Sequence, residues 1–331
     1  MKSFFVFFFA ICSWGAIPSQ EPSNYPVKTT VITSDSLKQK NALEAEALKN
    51  KLKELTLNNK TSESNALIFD LPITYNKQVS KWVHYFQTKG SKWFRQWLER
   101  SSKYLPFIQN ELQNANLPTD LAFMVMIESG FSSSAVSVAD AVGPWQFIEG
   151  TAQRYGLKKS WWLDERRDIR KSTQAAIKYI KDLYGEFGSW YLVAASYNMG
   201  ENGLRRQIEK HKTKDYWTLI HKKALPEETQ NYVPKILAAM LITKAPNLYG
   251  FRSLEKRDPL KYDYVTVPGG TDLELLAEIL GVTKKSIKEL NSELLIGYVP
   301  RNVSSHTVRV PSGAGKIIAD FMSQKGKKYS F

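Results

Sequence analysis

The stretch of greatest chemical interest is residues 117–130, LPTDLAFMVMIESG, because it places a single carboxylate on an apolar helical stripe. Its spacing predicts a helix in which Leu121 and Met124 share one face with Glu128. Gly130 is the expected C-cap. Apolar surroundings and the negative end of the helix dipole both raise the pKa of a glutamate, as a general acid requires near neutral pH. The alternative is a glutamate turned to solvent, and this stretch alone favours neither.

A turn further along the chain carries two more side chains of chemical interest. Gly143-Pro144 forces a change of direction and brings Trp145 and Gln146 side by side. An indole face can pack on a sugar ring, and a side-chain amide can both donate to and accept from its polar groups. The alternative is a turn with one core aromatic, which the turn alone slightly favours.

Two polar residues also follow an apolar helix that the sequence predicts over residues 190–200. Tyr197 and Asn198 lie near its end, where Gly200 is the expected C-cap. Such a pair is usually a satisfied part of the core. It becomes functional only if both side chains point toward Glu128.

The elements that must position these residues are predicted to be helices. Aromatic residues recur at helical spacing over residues 82–98, and their density favours a core over a binding face. Separate helices are expected at about 103–115 and 117–130, with Pro118 in the first turn of the latter.

Proline and charge patterns add two further expectations. A helix over residues 226–244 contains Pro234, where a kink or restart is expected. The alternating charges of residues 164–168 indicate structural ion pairs.

The first residues indicate export. Residues 1–18 combine one lysine with a short apolar run, which is typical of a secretory signal peptide. The only cysteine, Cys12, lies there, so a mature chain without it can form no disulfide. A lipoprotein would keep Cys12 as its lipidated first residue, but Ile11 is unfavourable before it. Residues 19–75, rich in Lys, Asn, Ser and Thr, predict a flexible tether.

The composition indicates a soluble protein with an anionic partner. Of its 331 residues 43% are hydrophobic, which implies no membrane bundle. The net charge of +14 favours nucleic acid, acidic lipid or a polyanionic wall polymer. No nucleic-acid motif or zinc module accompanies this charge, so we expect no nucleic-acid partner and no metal. We also expect the protein to be a monomer.

Four motifs stand in the order found in the lytic transglycosylases of bacterial cell walls. They are Glu128-Ser129-Gly130-Phe131, Gly143-Pro144-Trp145-Gln146, Ala195-Ser196-Tyr197-Asn198 with Gly200-Glu201, and Tyr232-Val233-Pro234-Lys235. The chain therefore resembles the family 1 lytic murein transglycosylases, especially the membrane-bound lytic murein transglycosylase D branch. Each motif is weak alone, but their order makes the set specific.

The resemblance implies a mainly α, lysozyme-like catalytic domain over residues 76–250. Glu128 would be the sole catalytic acid/base, and Ser129 and Tyr197 would orient its carboxyl group. The residues implied to contact the glycan are Trp145, Gln146, Asn198 and Tyr232. Pro144-Trp145 and Ser196 depart from the usual pattern of the family, but neither change removes a proton-transfer group.

The implied reaction explains why one carboxylate is enough. A glycosidase that delivers water normally needs two. Here Glu128 would protonate the oxygen of the MurNAc–GlcNAc bond while the substrate's acetamido group stabilises positive charge at C1. The carboxylate would then take the proton of the muramyl C6 hydroxyl, closing a 1,6-anhydro ring. No metal or cofactor is required.

The C-terminal part predicts a small βααβ module, with strands at 264–267 and 306–310. Thr271 and Thr283 are expected to cap its two helices. Residues 261–311 resemble the lysin motif (LysM) of wall-binding modules. Since the usual Gly-Asp-Thr order is permuted and a Pro-Gly-Gln turn is absent, the fold is better supported than sugar binding.

The module is expected to be separable from the catalytic domain, so cleavage of short glycans should survive its deletion. Residues 312–331 are expected to be a basic tail.

Two alternatives stay open. A goose-type lysozyme-like hydrolase on the same fold would need a second carboxylate, and Asp140 and Glu149 are the nearest candidates. Loss of Glu128 would indicate a non-catalytic wall-binding protein, but Glu128 is present. The expected location is the periplasm, with outer-membrane association if Cys12 is lipidated.

Overall fold

The computed structural model describes residues 30–31 and 68–328, so the predicted signal peptide, Cys12 and most of the tether lie outside the described residues. The strands, in chain order, are β1 (Thr30–Val31), β2 (Ile68–Phe69), β3 (Tyr262–Pro268) and β4 (Ser305–Pro311). The α-helices, in chain order, are α1 (Lys77–Gln87), α2 (Ser91–Asn114), α3 (Phe123–Ser129), α4 (Glu149–Arg154), α5 (Ile169–Phe187), α6 (Trp190–Met199), α7 (Glu201–His211), α8 (Tyr216–His221), α9 (Glu227–Lys244), α10 (Leu273–Leu280), α11 (Lys284–Leu290) and α12 (Gly315–Lys328).

The described residues are mainly helical, which confirms the predicted fold class, and they divide into two compact units. The Glu128 unit comprises residues 30–31, 68–131 and 177–257. The Gln146 unit comprises residues 132–176 and 258–328. Residues 169–176 of helix α5 belong to the Gln146 unit, and residues 177–187 of the same helix belong to the Glu128 unit. The sequence-based catalytic domain thus contributes to both units, and its boundaries stay a prediction.

The Glu128 unit is built around α9. This helix packs against α1, α3 and α6, and it is buried almost without interruption from Tyr232 to Ile242. It also runs through Pro234 as one helix, so the expected restart there is wrong. Proline removes one backbone hydrogen bond, but burial of the helix on several sides outweighs that loss.

Helix α2 shows the same effect at Pro106. It extends without a break from Ser91 to Asn114, although a separate helix was expected from about residue 103. Its buried face continues on both sides of the proline, through Leu98 and Ile108, and this continuous packing holds the helix together.

The aromatic residues predicted to form a core pack against one another, but only the two phenylalanines among them are buried, whereas the tryptophans are partly buried. Phe86 and Phe94 are buried and their rings stack with centroids 4.4 Å apart. The ring of Trp93 lies 5.6 Å from that of Phe86 and 4.4 Å from that of Trp97. These contacts join α1 to α2.

The helix predicted over residues 117–130 is shorter than expected. Pro118 is extended (φ −54°, ψ 128°), a 3₁₀ turn follows at Thr119–Ala122, and α3 begins only at Phe123. The prediction of Gly130 as C-cap is confirmed by its left-handed conformation (φ 57°, ψ 37°). The first turn deviates from an α-helix where its backbone N–H groups bind a side chain from a distant segment, as described below.

The Gln146 unit contains the predicted βααβ order. Strands β3 and β4 pair antiparallel, with Val265 opposite Val308, and α10 and α11 lie between them in the chain. Thr283 caps α11 as expected, but Asp272 caps α10 in place of Thr271. The hydroxyl of Thr271 instead donates to the Pro268 carbonyl (2.7 Å).

The C-terminal helix α12 was not predicted. Ala314 and Ile318 join the apolar core of the βααβ module, and α12 packs against β3. Most of the expected basic tail is therefore helical, because Ile318 and the partly buried Met322 dock the helix on the module core, next to Ala314.

Replacing Gly130 by Ala is expected to lower the free energy of unfolding strongly. A Cβ there would lie 2.2 Å from Trp97 Nε1, in addition to the strain of a left-handed residue. Gly156→Ala is the matched control, since its φ of +87° is also positive but no atom lies within 4 Å. Urea unfolding should show a loss of about 1 to 2 kcal/mol for Gly156→Ala. Overpacking should add about 1 to 3 kcal/mol for Gly130→Ala. Equal losses would contradict close packing at Gly130.

Candidate active site

The segment that carries Glu128 is held at its start by a reciprocal pair of aspartates. Asp70 accepts hydrogen bonds from the backbone N–H groups of Thr119 (2.5 Å) and Asp120 (2.9 Å). Asp120 accepts in turn from the Asp70 N–H (2.9 Å), and Lys244 Nζ lies 2.6 Å from its other oxygen. Lys244 compensates part of the buried charge of Asp120, although burial and the nearby Asp70 still raise the pKa of Asp120 to about 6. The reciprocal hydrogen bonds hold the turn before α3 in place.

The other end of α3 is closed by Gly130 and the residues around it. The Gly130 N–H donates to the Met126 carbonyl (2.9 Å), and Arg100 donates to the Gly130 carbonyl (2.8 Å). The indole of Trp97 lies where a side chain at position 130 would be. These contacts determine where the last turn, and with it Glu128, points.

The Glu128 carboxyl group has the environment expected of a general acid. Tyr232, itself buried, donates its O–H to Glu128 Oε1 at 2.5 Å. Burial raises the pKa of Glu128 from its ordinary value of 4.5 to about 7, and the negative charge of Glu228 adds to this rise. The hydrogen bond from Tyr232 and the positive charge of Lys235 act in the opposite direction. A carboxyl group with this pKa can give and take a proton near neutral pH.

The sequence analysis missed the role of Glu228 and gave Lys235 no function of its own. Together with Tyr232 they stand at i, i+4 and i+7 on α9, so a search of this helix for polar residues on one face would have found them. Burial lowers the pKa of Lys235, whereas Glu228 and Glu128 raise it. The Lys235 ammonium also lies 4.7 Å from the centre of the Trp82 ring.

Asn198 links α6 to the start of α9. Its side-chain oxygen accepts from the Thr229 hydroxyl (2.7 Å), and its nitrogen donates to Glu228 Oε1 (3.3 Å). Asn198 thereby helps to hold the charged group that acts on Glu128. Its predicted contact with a sugar stays a prediction.

Tyr197 and Ser129 are both close to Glu128 in this unit. Burial, and then the charge of Glu128, raise the pKa of Tyr197 well above its ordinary value. Its ring lies 5.3 Å from that of Tyr179, whose O–H donates to Glu201 (3.0 Å). The Ser129 hydroxyl, on the residue next to Glu128, donates to the Val125 carbonyl (3.3 Å). Their role in orienting the carboxyl stays a prediction.

In the Gln146 unit the structure corrects the role of Trp145. Its side chain is completely buried, and its indole N–H donates to the Thr173 hydroxyl (2.9 Å), so it belongs to the core and offers no face to a sugar. Gln146 is only partly buried and has a left-handed backbone (φ 50°). Its amide nitrogen donates to the Gly143 carbonyl (2.9 Å), which leaves the side-chain oxygen as an acceptor for a ligand.

The predicted ion pairs of residues 164–168 are confirmed. The buried Arg166 makes a two-pronged contact with Asp164, at 2.9 and 2.8 Å. Asp140 and Glu149, the carboxylates considered for a hydrolase, lie in this unit. Both side chains are exposed, and Lys159 Nζ lies 3.9 Å from Asp140 and 2.5 Å from Glu149.

Two further features concern the described part of the chain as a whole. None of its helices combines the length and the apolar character needed to cross a membrane. Across residues 68–328, His, Cys, Asp and Glu side chains form no group of three or more that could hold a metal ion.

Two stretches of the chain match known protein families. Residues 106–220 match the family model of the transglycosylase SLT domain, and residues 261–325 match that of the LysM-like domain of lytic transglycosylase MltD. The chain carries an SLT domain followed by an MltD-type LysM-like domain. The SLT match includes Glu128 but ends before Tyr232. The LysM-like match extends through most of α12, beyond the module boundary expected from the sequence.

The matches to individual relatives cover only part of each relative's length. The chain is 33% identical over 198 residues to membrane-bound lytic murein transglycosylase D of Escherichia coli (strain K12), which covers 58% of this chain and 43% of that protein. It is 39% identical over 116 residues to an Alteromonas sp. (strain M-1) protein named for tributyltin chloride resistance, covering 35% and 56%. The chain thus spans about half the length of these relatives.

One solved structure to which the chain is similar is also a lytic transglycosylase, named Slt. Lytic transglycosylase Slt of Pseudomonas aeruginosa, solved as an inactive mutant, is 20% identical over 45% of this chain and 24% of that chain. Its TM-score of 0.35 is too low to support an argument about the fold.

Replacing Tyr232 by Phe in the full-length protein is expected to raise the pKa of Glu128 above about 7. The lost hydrogen bond is one that favours the ionised carboxylate. NMR titration of a ¹³C-labelled glutamate carboxyl measures this pKa directly. Tyr191→Phe is the matched control, because the O–H of Tyr191 donates to the Pro72 carbonyl (2.7 Å). A Glu128 pKa unchanged by Tyr232→Phe would refute the assigned contact.

Proposed function

We propose that this protein is a peptidoglycan lytic transglycosylase, which cleaves the MurNAc–GlcNAc β-1,4 bond without water. The observation that carries the proposal is the Glu128 carboxyl group, with a pKa of about 7 and a hydrogen bond from Tyr232, at the end of a helix in an SLT domain. The names of the relatives, above all lytic murein transglycosylase D, support the same substrate and reaction.

Glu128 acts twice in the proposed reaction. As an acid it gives its proton to the glycosidic oxygen while the bond to muramyl C1 breaks, and the substrate's acetamido group stabilises the charge that develops on C1. As a carboxylate it then accepts the proton of the muramyl C6 hydroxyl, whose oxygen bonds to C1. Protonated Glu128 is restored, and the product ends in a 1,6-anhydro ring. A pKa near 7 suits both steps, since neither protonation state is strongly disfavoured.

The neighbours of Glu128 have distinct proposed roles. Tyr232 holds the carboxyl group and prevents its pKa from rising further, while Glu228 and burial favour the protonated acid. Ser129 and Tyr197 orient the carboxyl group. Ser129, Tyr197 and Glu228 act only through Glu128, so each is a positioning residue in this proposal, whereas Tyr232 is also proposed to contact the glycan.

The proposed contacts with the glycan come from polar side chains. Gln146 offers its side-chain oxygen, and Asn198 and Tyr232 offer polar groups close to Glu128. Trp145 is withdrawn from this set because it is buried. An internal hydroxyl of the substrate has the advantage of proximity over water, which favours ring closure over hydrolysis.

The hydrolase alternative now has a more specific candidate for its second carboxylate. Glu228 acts electrostatically on Glu128, whereas Asp140 and Glu149 are exposed and paired with Lys159. However, Glu228 accepts from Asn198 and raises the pKa of Glu128, which supports proton donation more directly than activation of water. We therefore favour the transglycosylase.

The proposed location is the periplasmic side of the cell envelope. A predicted signal peptide, the membrane-bound relatives and a net charge of +14 suited to an anionic wall polymer support it. Lipidation of Cys12 would add an outer-membrane anchor. The LysM-like domain is proposed to contribute to wall binding.

Replacing Glu128 by Gln is expected to lower muropeptide release from purified sacculi by a factor of about 100 to 10,000, because the acid/base is lost. Liquid chromatography of the released muropeptides measures it. Glu149→Gln, which removes an exposed carboxylate, should retain the activity of the wild type. Comparable release by a folded Glu128→Gln variant would exclude Glu128 as the acid/base.

Thermal unfolding provides the control for folding and has a predicted sign. The pKa of Glu128 is raised in the folded state, so ionisation of this group destabilises the wild type as pH rises from about 4.5 through 7. Glu128→Gln removes this penalty. The variant should therefore be more stable than the wild type at pH 8, and the difference should vanish below about pH 4.5.

A further inference from the structure

We propose that the LysM-like domain positions the loop that carries Gln146, with Arg309 as the central positioning residue. The inference concerns only the Gln146 unit, and it rests on the proposed glycan-binding role of Gln146. Both parts of this unit meet on one stretch of chain, residues 162–170, here called the connecting segment. Four sets of contacts support the proposal.

The first set is backbone pairing between the connecting segment and residues 292–295 of the LysM-like domain. The Asp164 N–H donates to the Glu293 carbonyl (2.9 Å), and the Leu295 N–H donates to the Trp162 carbonyl (2.8 Å). The Ser292 hydroxyl also donates to the Arg167 carbonyl (3.0 Å). The connecting segment is therefore held along several consecutive residues.

The second set is apolar. Leu163 pairs with Leu294 and belongs to the buried core of the LysM-like domain, which includes Val265, Val308 and Leu276. Trp162 packs against the same core, with its ring 5.2 Å from that of His306. A domain beginning at residue 261 would lack these side chains, so the core described here is completed by a segment of the SLT match.

The third set is a buried ionic cluster around Arg309. Its guanidinium donates to Asp168 (2.5 Å) in the connecting segment and to Glu293 in the LysM-like domain. All three residues are buried. Asn291 holds the backbone of Arg309 from both sides, accepting from its N–H (2.7 Å) and donating to its carbonyl (2.8 Å). Replacing Arg309 would leave the buried carboxylates of Asp168 and Glu293 without their partner, so loss of this one side chain is expected to loosen the docked arrangement.

The fourth set connects the same segment to the Gln146 loop, residues 140–147. Arg166 donates to the carbonyls of Asp140 (2.9 Å) and Phe147 (3.2 Å), at the two ends of the loop. Gly143 packs so closely that a Cβ there would lie 1.9 Å from the Arg166 carbonyl oxygen. The connecting segment therefore forms one side of the surroundings in which the loop packs.

These contacts make the conformation of Gln146 depend on the LysM-like domain. Arg309 and residues 292–295 hold the connecting segment, and the segment holds the loop through Arg166 and Gly143. Short-glycan cleavage is thus expected to need the C-terminal domain, contrary to the separability expected from the sequence.

Hydrogen exchange of the full-length chain tests this coupling without any need for activity. The amides of Val142, Gly143 and Gln146 bind carbonyls within the loop region, so they report its order. Arg309→Gln should raise their exchange rates at least about tenfold, and Arg309→Lys, which keeps the charge, should restore part of the protection. Lys284→Gln is the matched control, because it breaks an exposed ion pair with Glu274 in the same domain.

Exchange at the loop that stays at the wild-type rate in a folded Arg309→Gln variant would overturn the proposal. If that variant does not fold, Ser292→Ala replaces it, since it removes only the bond to the Arg167 carbonyl. A smaller rise in loop exchange is then expected, and no rise overturns the proposal.

Kinetics with a short soluble glycan give a second readout. Arg309→Gln should raise KM severalfold with a smaller effect on kcat, because the loop is proposed to bind sugar rather than transfer protons. An unchanged KM would contradict the positioning role. If the wild type cleaves no glycan, the proposed function fails, whereas the exchange experiment still decides whether the LysM-like domain orders the loop.

Discussion

A largely buried carboxyl group that accepts a hydrogen bond from the phenol of Tyr232 governs the structure of the Glu128 unit. Raising the pKa of Glu128 from 4.5 to about 7 corresponds to roughly 3 kcal/mol against the ionised form. This shift is what remains after the short hydrogen bond from Tyr232 and the charge of Lys235 have offset part of the effect of burial. Both residues lie on α9, so this helix serves at once as the core of the unit and as the support of its chemistry.

The same constraint explains why the short helix α3 is held so firmly at both ends. Only the last turn presents Glu128, and a small rotation would move its carboxyl group away from Tyr232. Asp70 and Asp120 hold the entrance to the helix, and Gly130 under the Trp97 indole holds its exit. Glycine is required there for two reasons: its backbone is left-handed, and any side chain would meet the indole.

The Gln146 unit solves a different problem, which is to give a loop one conformation. The loop is held by its buried apolar residues, among them Val142, Trp145 and Phe147, and Arg166 adds hydrogen bonds that reach both ends of the loop. Arg166 is in turn neutralised by Asp164 in the connecting segment. Buried arginines thus add, in this unit, to the positioning that apolar packing provides.

Much of this could be predicted from the sequence where the cause is local. The apolar stripe ending in Glu128, the C-cap at Gly130 and the βααβ order all follow from periodicity and capping. The continuity of α2 and α9 through Pro106 and Pro234 could not, because tertiary packing decides it.

For the candidate site, the limits of prediction are contacts between residues far apart in the chain. The proximity of Tyr232 to Glu128 was implied by family resemblance alone. The influence of Glu228 on Glu128 was missed because it appears only once α3 and α9 pack together. Trp145 was assigned to the sugar because its sequence does not reveal that Thr173 binds its indole in the core. Helix α12 was missed because its few apolar residues, such as Ile318 and Met322, stand in an otherwise basic sequence, and the core on which they dock comes from residues distant in the chain.

The mass of the muropeptides that the wild-type protein releases from purified sacculi tests the central claim most directly. A single carboxyl group that serves as acid and then as base for the muramyl C6 hydroxyl predicts products that end in 1,6-anhydro-MurNAc, each lighter by one water than a lysozyme product. Products that end mainly in reducing MurNAc would contradict it, because water would then have been activated by a second carboxylate such as Glu228.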